Sequence, residues 1–150
     1  MKFRFIWIGK TKDRNWKALQ EEFLQRLSHF VKCELTELKE SAPREGPDIE
    51  GERILAALNP KTFAVLLDVR GEAITSPGLA DTIEKWQNRG LKEVSFLIGG
   101  ANGVSRRVAE RADISLSLSF LTFTHEMARA ILLEQLYRAY TIIKGFPYQK

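Results

Sequence analysis

Thr62-Phe63-Ala64-Val65-Leu66-Leu67-Asp68 and Val94-Ser95-Phe96-Leu97-Ile98 are continuous apolar runs bounded by polar residues. A strand with one wet face alternates apolar and polar side chains, whereas a strand covered on both faces has no need to. Between the two runs, Ser76-Pro77 opens a helical period through Leu79, Ile83 and Trp86 that Gly90 stops. The same alternation extends outward. Phe3-Arg4-Phe5-Ile6-Trp7-Ile8 reads as a strand closed by Gly9. Asn15, a candidate N-cap, precedes a helical spacing of Trp16, Leu19, Phe23 and Leu27. Residues 31–38 alternate well enough for a second strand. Lys39 to Pro47 is aperiodic and reads as a loop, and Asp48 and Glu50 lead into a short helix ending near Leu58-Asn59-Pro60. A helix over 104–111, a strand over 114–118 and a long helix from His125 to Lys144 complete the pattern. Buried strands alternating with helices imply an α/β fold, a parallel sheet flanked by helices on both sides. Without repeats or linkers, 150 residues suit one domain over 1–150.

Composition narrows the function. At 44% hydrophobic and 28% charged residues the chain is globular. No apolar run approaches the roughly 18 residues a membrane span requires. The start lacks a long apolar segment with a small-residue cleavage site, so no secretory signal is expected and the cytoplasm is the expected compartment. Cys33, His29 and His125 cannot build a zinc site, and no metal is expected. The net charge of +4 is concentrated at the ends. Lys2, Arg4, Lys10, Lys12, Arg14 and Lys17 face only Asp13 in the first 17 residues. The last 50 hold seven bases against four acids. Two basic ends brought together would suit phosphate, although the same charge serves equally as an ordinary solvated surface.

Two segments have the form of ligand-binding turns. Ile98-Gly99-Gly100-Ala101-Asn102-Gly103-Val104-Ser105 joins a buried strand to a helix. Its glycines allow close backbone approach, so a side chain at Gly100 is expected to fill ligand space. The GGxxG spacing is neither the dinucleotide fingerprint nor a P-loop, which argues against NAD and ATP. Leu116-Ser117-Leu118-Ser119-Phe120-Leu121-Thr122-Phe123-Thr124 runs from a strand into an apolar loop suited to an adenine ring. Thr124 also suits a helix cap, and His125 at the helix start fits a structural or a catalytic role. On the long helix, Arg138 stands four residues after Glu134, and Arg129 three after Glu126. Each arginine could therefore pair on the helix surface or reach a phosphate. The apolar face of this helix is wider than packing on one sheet needs, which predicts a partner subunit.

Taken together, Ile98-Gly99-Gly100…Gly103, Leu116-Ser117-Leu118-Ser119…Leu121-Thr122…His125, Arg129, Leu133-Glu134-Gln135-Leu136-Tyr137-Arg138-Ala139 and Pro147-Tyr148 resemble the ribosomal RNA large subunit methyltransferase H family of small SPOUT methyltransferases. The likeness spans essentially the whole chain, including Gly9 and the Leu67-Asp68…Gly71 turn. It implies a SPOUT fold with a C-terminal trefoil knot and a homodimer. The implied activity is methylation, from S-adenosyl-L-methionine, of N3 of a pseudouridine in helix 69 of 23S rRNA. Alternatives are a SPOUT enzyme for another rRNA or tRNA base, or a non-catalytic ribosome-associated RNA-binding module. The resemblance places the cofactor at Leu67, Asp68, Gly99, Gly100, Gly103, Leu118, Ser119, Phe120, Leu121, Thr122, Phe123 and Thr124. It gives Arg129, Arg138 and Tyr148 catalytic and substrate-binding roles, with Gln149 also on the substrate. Family members commonly carry histidine where this chain has Gln149, which cannot ionise.

Overall fold

A computed structural model describes residues 1–148. Among these residues ten elements alternate: β1 (Lys2–Ile8), α1 (Arg14–Ser28), β2 (Lys32–Leu38), α2 (Gly46–Ala57), β3 (Phe63–Ala73), α3 (Ser76–Asn88), β4 (Glu93–Ile98), α4 (Arg106–Arg111), β5 (Ile114–Ser117) and α5 (His125–Lys144). The sheet order is β2-β1-β4-β3-β5, and every pairing is parallel. The α/β class read from the apolar runs is the observed one.

Side-chain alternation divides the core into two layers. Phe3, Phe5, Trp7, Val65 and Phe96 face α1, α3 and α5, and pack with Leu27, Ile83, Trp86, Leu133 and Leu136. Ile6, Ile8, Ala64, Leu66 and Leu97 face the opposite way, onto Ile54 of α2 and Val108 of α4. β1 and β4 lie between other strands and are buried along most of their length, whereas the edge strand β2 is largely exposed. That difference explains the alternation of β2 and the continuous runs elsewhere.

Several boundaries differ from the sequence reading. α1 begins at Arg14, and its cap is Asp13, whose carboxylate accepts from the backbone N–H groups of Asn15 and Trp16 at 2.8 and 3.0 Å. Asp13, two positions before the expected cap, reaches two unpaired donors, so Asn15 lies inside the first turn. α2 starts at Gly46, because Pro47 is well placed in a first turn, where its missing N–H costs nothing. α4 begins at Arg106, after the cap Ser105. β5 ends at Ser117.

The largest difference is in β3, which continues to Ala73. Leu116 of β5 is opposite Leu67 and again opposite Glu72, so residues 68–71 form an excursion between two stretches of ladder. Gly71 closes it. A Cβ there would stand 2.7–2.8 Å from backbone atoms of Ser115 and Leu116.

Candidate functional site

In open parallel sheets, ligand crevices form beyond the carboxyl ends of the strands. Here β3, β4 and β5 end around a cavity of about 610 Å³, within the range of small-ligand pockets. The excursion in β3 contributes Leu67, Asp68, Val69 and Arg70. The turn after β4 contributes Ile98, Gly99, Gly100, Ala101, Gly103 and Val104. The loop before α5 brings Leu118, Ser119, Leu121, Thr122, Phe123 and Thr124, and α5 itself adds His125 and Ala128. Eleven of the twelve residues expected to hold the cofactor are thus brought to one wall. Phe120 is not among them, because its side chain points outward and is 87% exposed. Val69 and Arg70 were missed because the apolar run ends at Asp68, which made the strand seem to end there.

The glycine turn is closed by the Gly103 N–H donating to the Gly100 carbonyl at 3.1 Å, with Gly103 at φ +86°. A Cβ on Gly99 would lie 2.8 Å from the Val104 side chain and 2.9 Å from the Gly103 carbonyl oxygen. At Gly100 the reason for glycine differs from the one expected. Its Cβ would be 3.2 Å from both Glu50 Oε1 and Ile8 Cγ2, so a side chain would press into the packing beneath the turn. In the other loop, the Ser117 hydroxyl donates to the Ser119 carbonyl at 2.9 Å, and Ser119 Oγ accepts from the Leu121 N–H at 3.0 Å. Thr124 lines the cavity and also caps α5, accepting from the Met127 N–H at 3.3 Å.

Asp68 supplies the anion of the wall. Its carboxylate accepts from the Arg70 backbone N–H at 2.8 Å and from the Arg70 guanidinium, which holds its carboxyl below the usual carboxylate range. Among the described residues no group of three His, Cys, Asp or Glu could hold a metal.

Arg129 is not on the cavity wall or on the surface. It is fully buried, donating to the Ile8 carbonyl at 2.6 Å and to the Thr11 hydroxyl at 2.9 Å, with its guanidinium 4.9 Å from the Trp7 ring centre. Burial pulls its pKa down to about 10, so it remains a cation at neutral pH. This corrects the expected substrate contact, since Arg129 has no surface from which to meet RNA. It also removes the expected pairing with Glu126, whose carboxylate accepts from the backbone N–H groups of Lys12 and Asp13, both at 3.0 Å. Arg129 acts as a clamp between α5 and the end of β1.

Arg138 and Tyr148 are brought together. Arg138 Nε donates to Glu134 Oε1 at 3.0 Å, and the Tyr148 hydroxyl donates to the same oxygen at 3.3 Å. The guanidinium lies 4.7 Å from the centre of the Tyr148 ring. Burial and the Glu134 charge push the Tyr148 phenol up. Gln149 lies outside the described residues. Arg138 stands thirteen residues beyond His125 on one helix. At the helical rise per residue this separation is about 20 Å. One chain therefore carries the cavity and the arginine–tyrosine cluster toward opposite ends of α5.

Comparison with known proteins puts this sheet and its cavity in the SPOUT methyltransferase class. Residues 1–149 match the family described as "Predicted SPOUT methyltransferase". Ribosomal RNA large subunit methyltransferase H of Desulfotalea psychrophila is 44% identical over 153 residues, and that of Halothermothrix orenii 42% over 159, each match covering all of both chains. The chain belongs to the ribosomal RNA large subunit methyltransferase H family. The crystal structure of a tRNA methyltransferase from Aquifex aeolicus resembles it with a TM-score of 0.55, over 92% of this chain and 70% of that one. At 15% identity that likeness concerns the fold alone.

Proposed function

We propose that this chain, acting as one domain in a cytoplasmic homodimer, methylates N3 of a pseudouridine in helix 69 of 23S rRNA with S-adenosyl-L-methionine. The observation that carries the reading is the full-length identity of 44% to a ribosomal RNA large subunit methyltransferase H. The cavity fits the cofactor chemically. It offers mostly apolar walls for an adenine, backbone groups of the Leu118-to-Thr124 loop for the ring edge, and Asp68 for positive charge. When bound, the cofactor supplies an electrophilic methyl on a cationic sulfur.

The contribution of the chain is then alignment and charge. Holding two reactants in attack geometry can supply roughly 7–11 kcal/mol of the barrier. Arg138 suits the negative charge that develops on the imide, and Tyr148 suits stacking on or hydrogen bonding to the base. With about 20 Å of α5 between this pair and the cavity, the two halves of a site are joined by the tail of a second copy. Ile142 and Phe146, 45% and 56% exposed at that end of α5, provide apolar surface for such a contact. Light scattering is expected to give twice the 17.2 kDa of one chain, and a stable monomer at micromolar concentration would overturn the arrangement.

The direct test incubates the protein and S-adenosyl-L-methionine with ribosomes from cells lacking the gene. Mass spectrometry of the helix 69 fragment should show one added methyl on a pseudouridine, and an unmodified fragment refutes the reading. Arg138→Ala should lower single-turnover methylation at least about a hundredfold, the usual cost of removing a charge-stabilising donor. Its calorimetric cofactor affinity should stay within a few-fold. Were Arg138 only the ion-pair partner of Glu134, a loss of a few tenths of a kcal/mol in stability and full methylation would be seen instead.

A further inference from the structure

His125 is the first residue of α5 and stands on the cavity wall. Among the described residues neither of its ring nitrogens has a hydrogen-bond partner. Charged groups approach it from three elements. Arg129 and Glu126 lie on its own helix, Lys12 on the loop after β1, and Glu40 on the loop after β2. Both carboxylates are engaged elsewhere: Glu126 accepts the N–H groups of Lys12 and Asp13, and Glu40 pairs with the Lys12 ammonium at 3.6 Å. Burial, then the Arg129 charge, keeps the imidazole below its ordinary pKa. A helix N-terminus also disfavours a cation. These influences favour the uncharged ring, which keeps a lone pair on one nitrogen.

Nitrogen methylation of an imide requires a proton acceptor, because the N3–H bond must give up its electron pair as the new bond forms. The wall offers few. Asp68 is bound by Arg70, and the hydroxyls of Ser119, Thr122 and Thr124 are poor bases. Arg129 is buried and already protonated, and Gln149 cannot ionise.

Resting on the function proposed above, we propose that His125 is the general base of the reaction. Its free ring nitrogen takes the N3 proton while N3 bonds to the methyl carbon and the carbon–sulfur bond breaks. The sulfonium becomes a neutral thioether, the nucleobase leaves neutral and methylated at N3, and the imidazolium returns its proton to water.

The test uses the full chain on ribosomes lacking the modification. For His125→Ala the expected result is a single-turnover rate lower by about 10²–10⁴-fold, the usual contribution of general-base catalysis. Cofactor affinity by calorimetry should stay within a few-fold. The wild-type rate should fall as pH drops and the ring protonates, and that acid limb should be missing from the variant. Added imidazole should restore part of the rate. His125→Gln, which preserves size and polarity, should be as slow as His125→Ala, and it replaces the alanine variant if that one does not fold. A rate near wild type, a parallel loss of cofactor affinity, or an acid limb retained in either variant overturns the assignment. A wild-type protein that methylates no pseudouridine removes the functional reading itself, and the base with it. A wild-type protein that methylates pseudouridine beside variants that keep its rate or its acid limb refutes the base alone.

Discussion

Gly71→Val is expected to yield little folded protein, and Gly71→Ala a protein weakened by about 3 kcal/mol or more. Overpacking a core typically costs about 1–3 kcal/mol when side chains can yield. Here the new carbon would sit 2.7–2.8 Å from backbone atoms of Ser115 and Leu116, inside a parallel ladder that has no rotamer to change. The strands must separate or the excursion over residues 68–71 must move. Either movement displaces Asp68, Val69 and Arg70 from the cavity. Urea unfolding and cofactor calorimetry on Gly71→Ala should therefore fail together. A variant with wild-type midpoint and wild-type affinity would show that the close approach is not required. Gly100→Ala makes a useful contrast, since its Cβ would meet side-chain atoms of Glu50 and Ile8 at 3.2 Å and no backbone at closer range. Its effect should be much smaller.

Arg129→Met should lower stability by about 2–3 kcal/mol, and with it the melting temperature by roughly 5–10 °C. Two terms oppose one another. Methionine relieves the burial of a cation, which is costly in itself. It also abandons the Ile8 carbonyl and the Thr11 hydroxyl, held at 2.6 and 2.9 Å, and the contact over Trp7. Hydrogen bonds from a charged donor contribute about 1.5–3 kcal/mol each, and the orphaned Ile8 carbonyl adds its own penalty. The second term is the larger. Arg129→Lys keeps the charge without the fork and should recover only part of the loss. An unchanged or higher melting temperature for Arg129→Met would show that the clamp contributes nothing net.

The sheet was legible because burial on both faces leaves a run such as Thr62 to Asp68 without alternation, and the glycine turn was legible because few backbones need Gly99, Gly100 and Gly103 together. The excursion in β3 was not. Asp68, Val69, Arg70 and Gly71 read locally as the end of a strand, and only pairing with β5, more than forty residues later, makes them a pocket wall. Arg129 could have been found. Residues 129, 132, 133 and 136 share one face of α5, so its spacing puts a charge among buried leucines. Its residue type suggested phosphate, and its position pointed to the interior. Gly100 shows the same division, since the residue was legible but the direction its Cβ takes required the fold.

The guanidinium of Arg129 and the carbonyl of Ile8 are 121 residues apart along the chain. During synthesis, β1 therefore waits for its anchor until 121 further residues have been added. At about 5–20 residues per second that delay lasts many seconds. For most of it, until Ile98 has been added, Phe3, Phe5, Ile6 and Trp7 form an adhesive segment whose neighbour β4 is incomplete. Chaperone dependence and inclusion-body formation should accordingly respond to elongation speed and to changes near residue 129, even where the finished protein is stable.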